Sequence, residues 1–173
     1  MMKRFLKNER GLTLIELLAV IVILGIIAAI AIPAIGGLID NSKKDAHVSN
    51  AQQMINAAKI AVTADKDLIP NNGKYTVISL KYLEDEGYLE TVKDPDGDTD
   101  SYTKGPSTGN QISENQSGDP KAGYSYVLIR NNNNKLSYYA KLINSKRGIR
   151  EADGSAVAED ALKRSAVRNN TSS

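Results

Sequence analysis

Gly11-Leu12-Thr13-Leu14-Ile15-Glu16 opens the stretch that decides the fold. Behind it, Leu17 to Ile39 run for 23 residues without a charged or amide side chain. As a helix rising about 1.5 Å per residue, that run measures roughly 35 Å, enough to cross the hydrocarbon core of a bilayer. Lys3, Arg4, Lys7 and Arg10 precede it against the single acid Glu9. Basic flanks stay cytoplasmic, so the pattern predicts one span, with the chain after Ile39 outside. A secretory signal peptide is the competing reading, because Ala29-Ile30-Ala31 has the small-residue spacing of a signal peptidase site. Against it, the run is longer than a leader's apolar segment, and Glu16 at its start has no use in one. A carboxylate entering hydrocarbon is costly and calls for a partner.

These residues resemble the class III signal of type IV pilins and pseudopilins. They share a short basic leader ending in Gly11, a hydrophobic first mature residue, a glutamate at the fifth mature position (Glu16), and then an unbroken apolar helix. The resemblance is close over about Lys7 to Pro33 and holds in outline beyond. It implies cleavage between Gly11 and Leu12 by a prepilin peptidase, N-methylation of Leu12, and pairing of Glu16 with the Leu12 amine of a neighbouring subunit. Gly25 and Pro33 fall where pilin helices carry helix-weakening residues. Leu12 departs from the phenylalanine most common at that position.

The fold implied is α+β and type IV pilin-like: a long N-terminal helix packed on a small antiparallel sheet, here with a C-terminal helix. Residues 1–11 would be the cleaved leader, 12–39 the transmembrane and filament-core half of the helix, 40–65 its amphipathic half, and 66–173 the extracellular head. The implied function is that of a structural subunit in a helical homo-oligomeric filament, made by the pilus assembly machinery and serving adhesion, motility and biofilm formation. The chain would sit in the cell membrane before assembly and in the extracellular filament afterwards. A pseudopilin of a secretion or DNA-uptake system is the alternative within the family. A monomeric membrane-anchored adhesin is the alternative outside it.

Composition narrows the field further. With 22 basic and 20 acidic residues, four and one of them in the leader, the mature chain keeps 18 (22 − 4) and 19 (20 − 1), a net charge of −1. No basic field remains for nucleic acid. Cysteine is absent, although the compartment permits disulfides. The chain thus departs from Gram-negative pilins that tie down a C-terminal loop with one, resembles Gram-positive and especially clostridial pilins, and is expected to hold that region by packing.

Beyond the span, Ala51, Met54, Ile55, Ala58, Ala61 and Val62 recur at helical spacing between polar residues, so the helix should continue to about Asp65 with one buried stripe. Pro33, and Gly25, Gly36 and Gly37 at about 1 kcal/mol each relative to Ala, make 25–37 its weakest part. Asp67 to Lys74 reads as a loop. Ser79 should cap a short helix ended by Gly87, with Leu80 and Leu83 facing inward. Gly123–Ile129 and Leu136–Ile143 form a hairpin, with Leu136, Tyr138, Ala140 and Leu142 turned to the helix stripe and a third strand near Ile149. Ser155 to Arg168 carries acids early and bases late, suiting a helix.

Asp94, Asp96, Asp98 and Asp100 alternate through a Pro-Asp-Gly turn. Oxygen-rich loops bind calcium, and secretion pseudopilins carry a calcium site after a similar Asp-Pro, so these four are calcium candidates; Gly97 is misplaced for an EF-hand, and a solvated turn is the simpler expectation. The polar stretch from Gly97 to Ala122 reads as a long exposed loop. No catalytic constellation is present: one histidine, no cysteine, no phosphate-binding or nucleophile-elbow motif. An enzyme is not expected, nor a cofactor. His47 is expected to be a solvated helix residue.

Overall fold

The computed structural model describes residues 13–97, 102–107, 111–113 and 119–170. The chain divides into two compact units, one ending at Asp40 and one starting at Asn41. One helix, α1 (Leu14–Ala64), has residues in both and runs through Pro33.

In the first unit α1 is apolar all round and almost nothing covers it: Leu17, Leu24, Ile30 and Leu38 are among its exposed large residues. A helix of this length and composition is able to cross a membrane. A Cβ at Gly25, Gly36 or Gly37 would meet no neighbour, so packing within the chain does not demand these glycines.

In the second unit the stripe expected from periodicity is buried: Ala51, Met54, Ile55, Ala58 and Ala61 are at 0 % exposure. It packs against an antiparallel sheet built from β1 (Tyr75–Ser79), β2 (Gln111–Ser113), β3 (Tyr126–Asn132), β4 (Lys135–Ile143), β5 (Arg147–Ile149), β6 (Val157–Ala158) and β7 (Val167–Asn169). The order is β2-β1-β3-β4-β5-β7, with β6 beside β4. Val127, Ile129, Ala140, Leu142 and Ile149 supply the helix-facing side, with Leu136 and Tyr138 packed at its margin. Tyr75, Val77, Tyr126 and Leu128 turn to the other side, covered by Ala156, Ala122 and Tyr124. Because both faces are covered, β1 is buried at all five positions. It lacks the polar-apolar alternation that marks a half-exposed strand, so periodicity does not reveal it.

The β3–β4 turn is two residues long, with Asn133 (φ 52°) and Asn134 (φ 62°) both left-handed, the geometry that matches strand twist in a hairpin. The loop before β1 is fastened to it: Asn133 N–H donates to Asn72 Oδ1 (2.7 Å) and Asn131 Nδ2 to the Pro70 carbonyl (2.7 Å). Ser79 caps α2 (Leu80–Asp85) by accepting the Tyr82 N–H, and Gly87 follows at φ 74°, as expected.

Two expectations are corrected here. Ser155 to Arg168 forms no α-helix; it makes β6, two single 3-10 turns (Glu159–Ala161 and Arg164–Ala166) and the start of β7. Its apolar residues, Ala156-Val157, Ala161-Leu162 and Ala166-Val167, recur in pairs every five residues, a spacing that a 3.6-residue helix scatters round its surface. The pairs reach the core because the chain changes direction between them, and half-exposed Lys59–Glu159 (2.6 Å) and Arg164–Asp45 (2.5 Å) ion pairs add little to that packing. The stretch from Gly97 to Ala122 is also more than a loop: it provides β2 and buries Tyr102 at 2 % exposure.

The helix stripe is the core, so Met54→Asp or Leu142→Asp, each placing an unpaired carboxylate at a fully buried site, is expected to cost on the order of 4 kcal/mol or more. Asn56→Asp, on the exposed side of the same helix, is expected to change stability by less than about 1 kcal/mol. Thermal melts of the full chain in detergent check the contrast, and equal losses would refute the assignment of the core.

Candidate functional site

At the start of α1, Thr13-Leu14-Ile15-Glu16 folds as a capping box, satisfying donors that the first helical turn leaves without partners. The Thr13 N–H and hydroxyl both donate to Glu16 Oε2 at 2.8 Å, and the Glu16 N–H donates to Thr13 Oγ1 at 3.3 Å. Glu16 therefore has a partner within its own chain, one that the Ser/Thr-x-x-Glu spacing signals. Acidic charge at a helix N-terminus is also favoured by the helix dipole. Gly11 and Leu12, the expected cleavage junction, lie outside the described residues. Gly25 and Pro33 lie inside α1.

A second concentration of polar chemistry lies within the second unit, at the end of the core nearest His47. The ring is at 0 % exposure, which corrects the expectation of a solvated residue. His47 precedes Ala51 by four residues and so continues the buried stripe by one turn; that spacing was legible in the sequence. Its Nε2 lies 3.1 Å from Asp96 Oδ2, and its Nδ1 lies 2.7 Å from the Tyr102 hydroxyl. A carboxylate only accepts, so Nε2 carries the proton and Tyr102 donates to Nδ1. Tyr102 Oη in turn accepts from Asn50 Nδ2 at 3.0 Å, and Asn50 also donates to the Lys93 carbonyl.

Arg147, at the start of β5, closes the other side. Its Nη2 reaches Asp96 Oδ1 at 2.5 Å and its Nε lies 2.9–3.0 Å from both Asp96 oxygens. Asn144 Nδ2 donates to Asp94 Oδ2 (2.6 Å) and Asp96 Oδ2 (2.9 Å), while Asn144 Oδ1 accepts the Lys146 and Arg147 N–H groups. β5 can press this closely on β4 because residue 148 is glycine: a Cβ there would stand 2.4 Å from the Leu142 carbonyl oxygen. The Asp94 and Asp96 carboxylates are thus interior members of a network, not the solvated turn expected; Asp98 and Asp100 lie outside the described residues. Arg147, Asn144 and Tyr102 gave no signal in the sequence, being some fifty residues from their partners.

The Arg147 guanidinium and the donors around it hold the Asp96 carboxyl well below the usual carboxylate range. Burial pushes the His47 imidazole below its ordinary value, outweighing the opposite pull of Asp96 and Asp94, and raises the Tyr102 phenol. The arrangement ties α1, the Asp94–Gly97 turn, Tyr102 and the β4–β5 connection together by hydrogen bonds and charge.

The family described as the prokaryotic N-terminal methylation motif matches residues 6–32. The matched segment spans the end of the basic leader, the Gly11-Leu12 junction, Glu16 and the apolar run as far as Ile32. No curated protein and no solved structure matches the chain. The chain accordingly carries a prepilin-type signal that runs into an apolar helix able to anchor it in a membrane, and its second unit is a helix packed on an antiparallel sheet, an architecture consistent with the type IV pilin fold.

With its folded-state pKa below the ordinary 6.5, His47 stabilises the neutral-ring fold above that pH; as pH falls through it, the unfolded chain takes up a proton that the folded chain resists. Melting temperature is therefore expected to decline as pH drops from about 7 to about 5, well before Asp96 protonates, and His47→Gln is expected to flatten that decline. Melts across that range read both, and identical slopes in the two proteins would contradict the assignment.

Proposed function

We propose that this chain is a type IV pilin: a prepilin inserted with its head outside, cut between Gly11 and Leu12, N-methylated on Leu12, and packed through α1 into a surface filament. The observation that carries the reading is the methylation motif at residues 6–32 leading into a helix whose apolar span is left uncovered. A helix apolar on every side needs lipid before assembly and other copies of itself afterwards. The role is structural and not enzymatic, and adhesion, motility and biofilm formation would follow from the filament. The absence of cysteine supports a Gram-positive type of pilin.

Glu16 is the assembly residue in this proposal. In the single chain its carboxylate accepts from Thr13. Cleavage creates an ammonium at Leu12, and in a low-dielectric bundle of helices a neighbour's ammonium is a stronger partner for the carboxylate than a hydroxyl. Removing one member of such a pair leaves the other charge buried and unpaired.

Mass spectrometry of the mature protein is expected to find a monomethylated N-terminus at Leu12; a chain starting at Met1 or Ile32 would end the proposal. Glu16→Ala is expected to be made, inserted and cleaved at near-normal levels, since losing a carboxylate from the span eases insertion. Filaments in sheared surface material should fall at least about tenfold, as expected for loss of a buried pair worth more than about 1.4 kcal/mol. Immunoblots of membrane and sheared fractions measure both, and undiminished filaments would show that the pair is dispensable.

A further inference from the structure

The alternating carboxylates from Asp94 onward, with the likeness to pseudopilins that hold calcium after an Asp-Pro, make this loop a calcium candidate beside the simpler reading of a solvated turn. His47, Asp94 and Asp96 offer ligand atoms within 4.8 Å of one another. Among the described residues the donor set does not fit an ion. Calcium takes about six to eight oxygens with lone pairs turned to a common point. Here Asp96 Oδ1 accepts from Arg147 Nε and Nη2, and Asp96 Oδ2 accepts from Arg147 Nε, Asn144 Nδ2 and His47 Nε2. Asp94 Oδ2 accepts from Asn144, and Asp94 Oδ1 accepts the Asp96 backbone N–H at 3.0 Å. Both ring nitrogens of His47 are engaged, with Asp96 and Tyr102. A metal ion would have to displace these donors and then lie against a guanidinium that does not give up its charge.

We infer that Arg147 is the built-in cation of this loop: its guanidinium neutralises Asp96 and orders the Asp94–Gly97 turn, so that the head folds without calcium. The planar fork suits the task, because it engages both carboxylate oxygens at once from a buried position. Asn144 extends the arrangement to Asp94 through a single amide nitrogen, and its own carbonyl oxygen is held by the backbone N–H groups of Lys146 and Arg147.

The test is thermal unfolding of the full chain in detergent, in excess EDTA and in millimolar calcium chloride. The native chain is expected to melt at the same temperature in both. Arg147→Gln keeps a donor but loses the charge, and is expected to melt well below the native chain in either buffer. Adding Asp96→Asn to Arg147→Gln removes the stranded carboxylate and is expected to recover part of that loss. A native chain whose melting temperature rises saturably with calcium and falls again on chelation would overturn the inference, as would an Arg147→Gln chain that melts with the native one. If Arg147→Gln does not accumulate folded, the calcium comparison on the native chain decides alone.

Discussion

Ala51, Met54, Ile55, Ala58 and Ala61 form a stripe on α1 with no exposure to solvent, and the sheet takes its place by covering it. Most of those residues are small, so bulkier strand side chains such as Ile129 and Leu142, buried in the same cluster, supply much of its volume. A helix of this kind gains its stability from the surface it buries and little from propensity. Towards its N-terminus the same helix has no stripe at all, being apolar on every side and uncovered. One continuous element is thus built for two surroundings, and the change is written in the side chains on either side of Asp40.

The polar network around Asp96 solves a different problem. A small domain with no disulfide has to pin loops that carry little apolar surface. Here a buried histidine, a tyrosine, two asparagines, two aspartates and an arginine connect four separate stretches of chain. Such a network stabilises only when each donor and acceptor is matched, since a buried charge left alone costs about 3–5 kcal/mol. It therefore favours one arrangement of those stretches over the near alternatives.

What could be read in the sequence followed from how local the signal was. The apolar helix, the helix stripe, the Ser79 cap and the hairpin strands each depend on residues close together in the chain, and the structure places them as expected. Leu136, Tyr138, Ala140 and Leu142 do face the helix. β1 was missed because a strand covered on both faces has no alternation, and the C-terminal region was misread because its charge order imitated a helix while its apolar pairs did not. The His47 network required partners from distant segments, so composition and spacing could show the carboxylates but not the arginine that meets them. The Thr13-Glu16 capping box is local and legible in the Thr-x-x-Glu spacing.

The central claim is that α1 serves first as an anchor and then as the core of a filament. Electron cryomicroscopy of filaments sheared from cells making this protein tests it most directly. The account predicts a helical assembly with the Leu14–Ile39 segments bundled along the axis, the heads outside, and each Glu16 against the N-terminal amine of a neighbouring copy. Cells that process the chain normally yet keep it as separate membrane-bound copies, or filaments whose axis is lined by heads instead of helices, would contradict it.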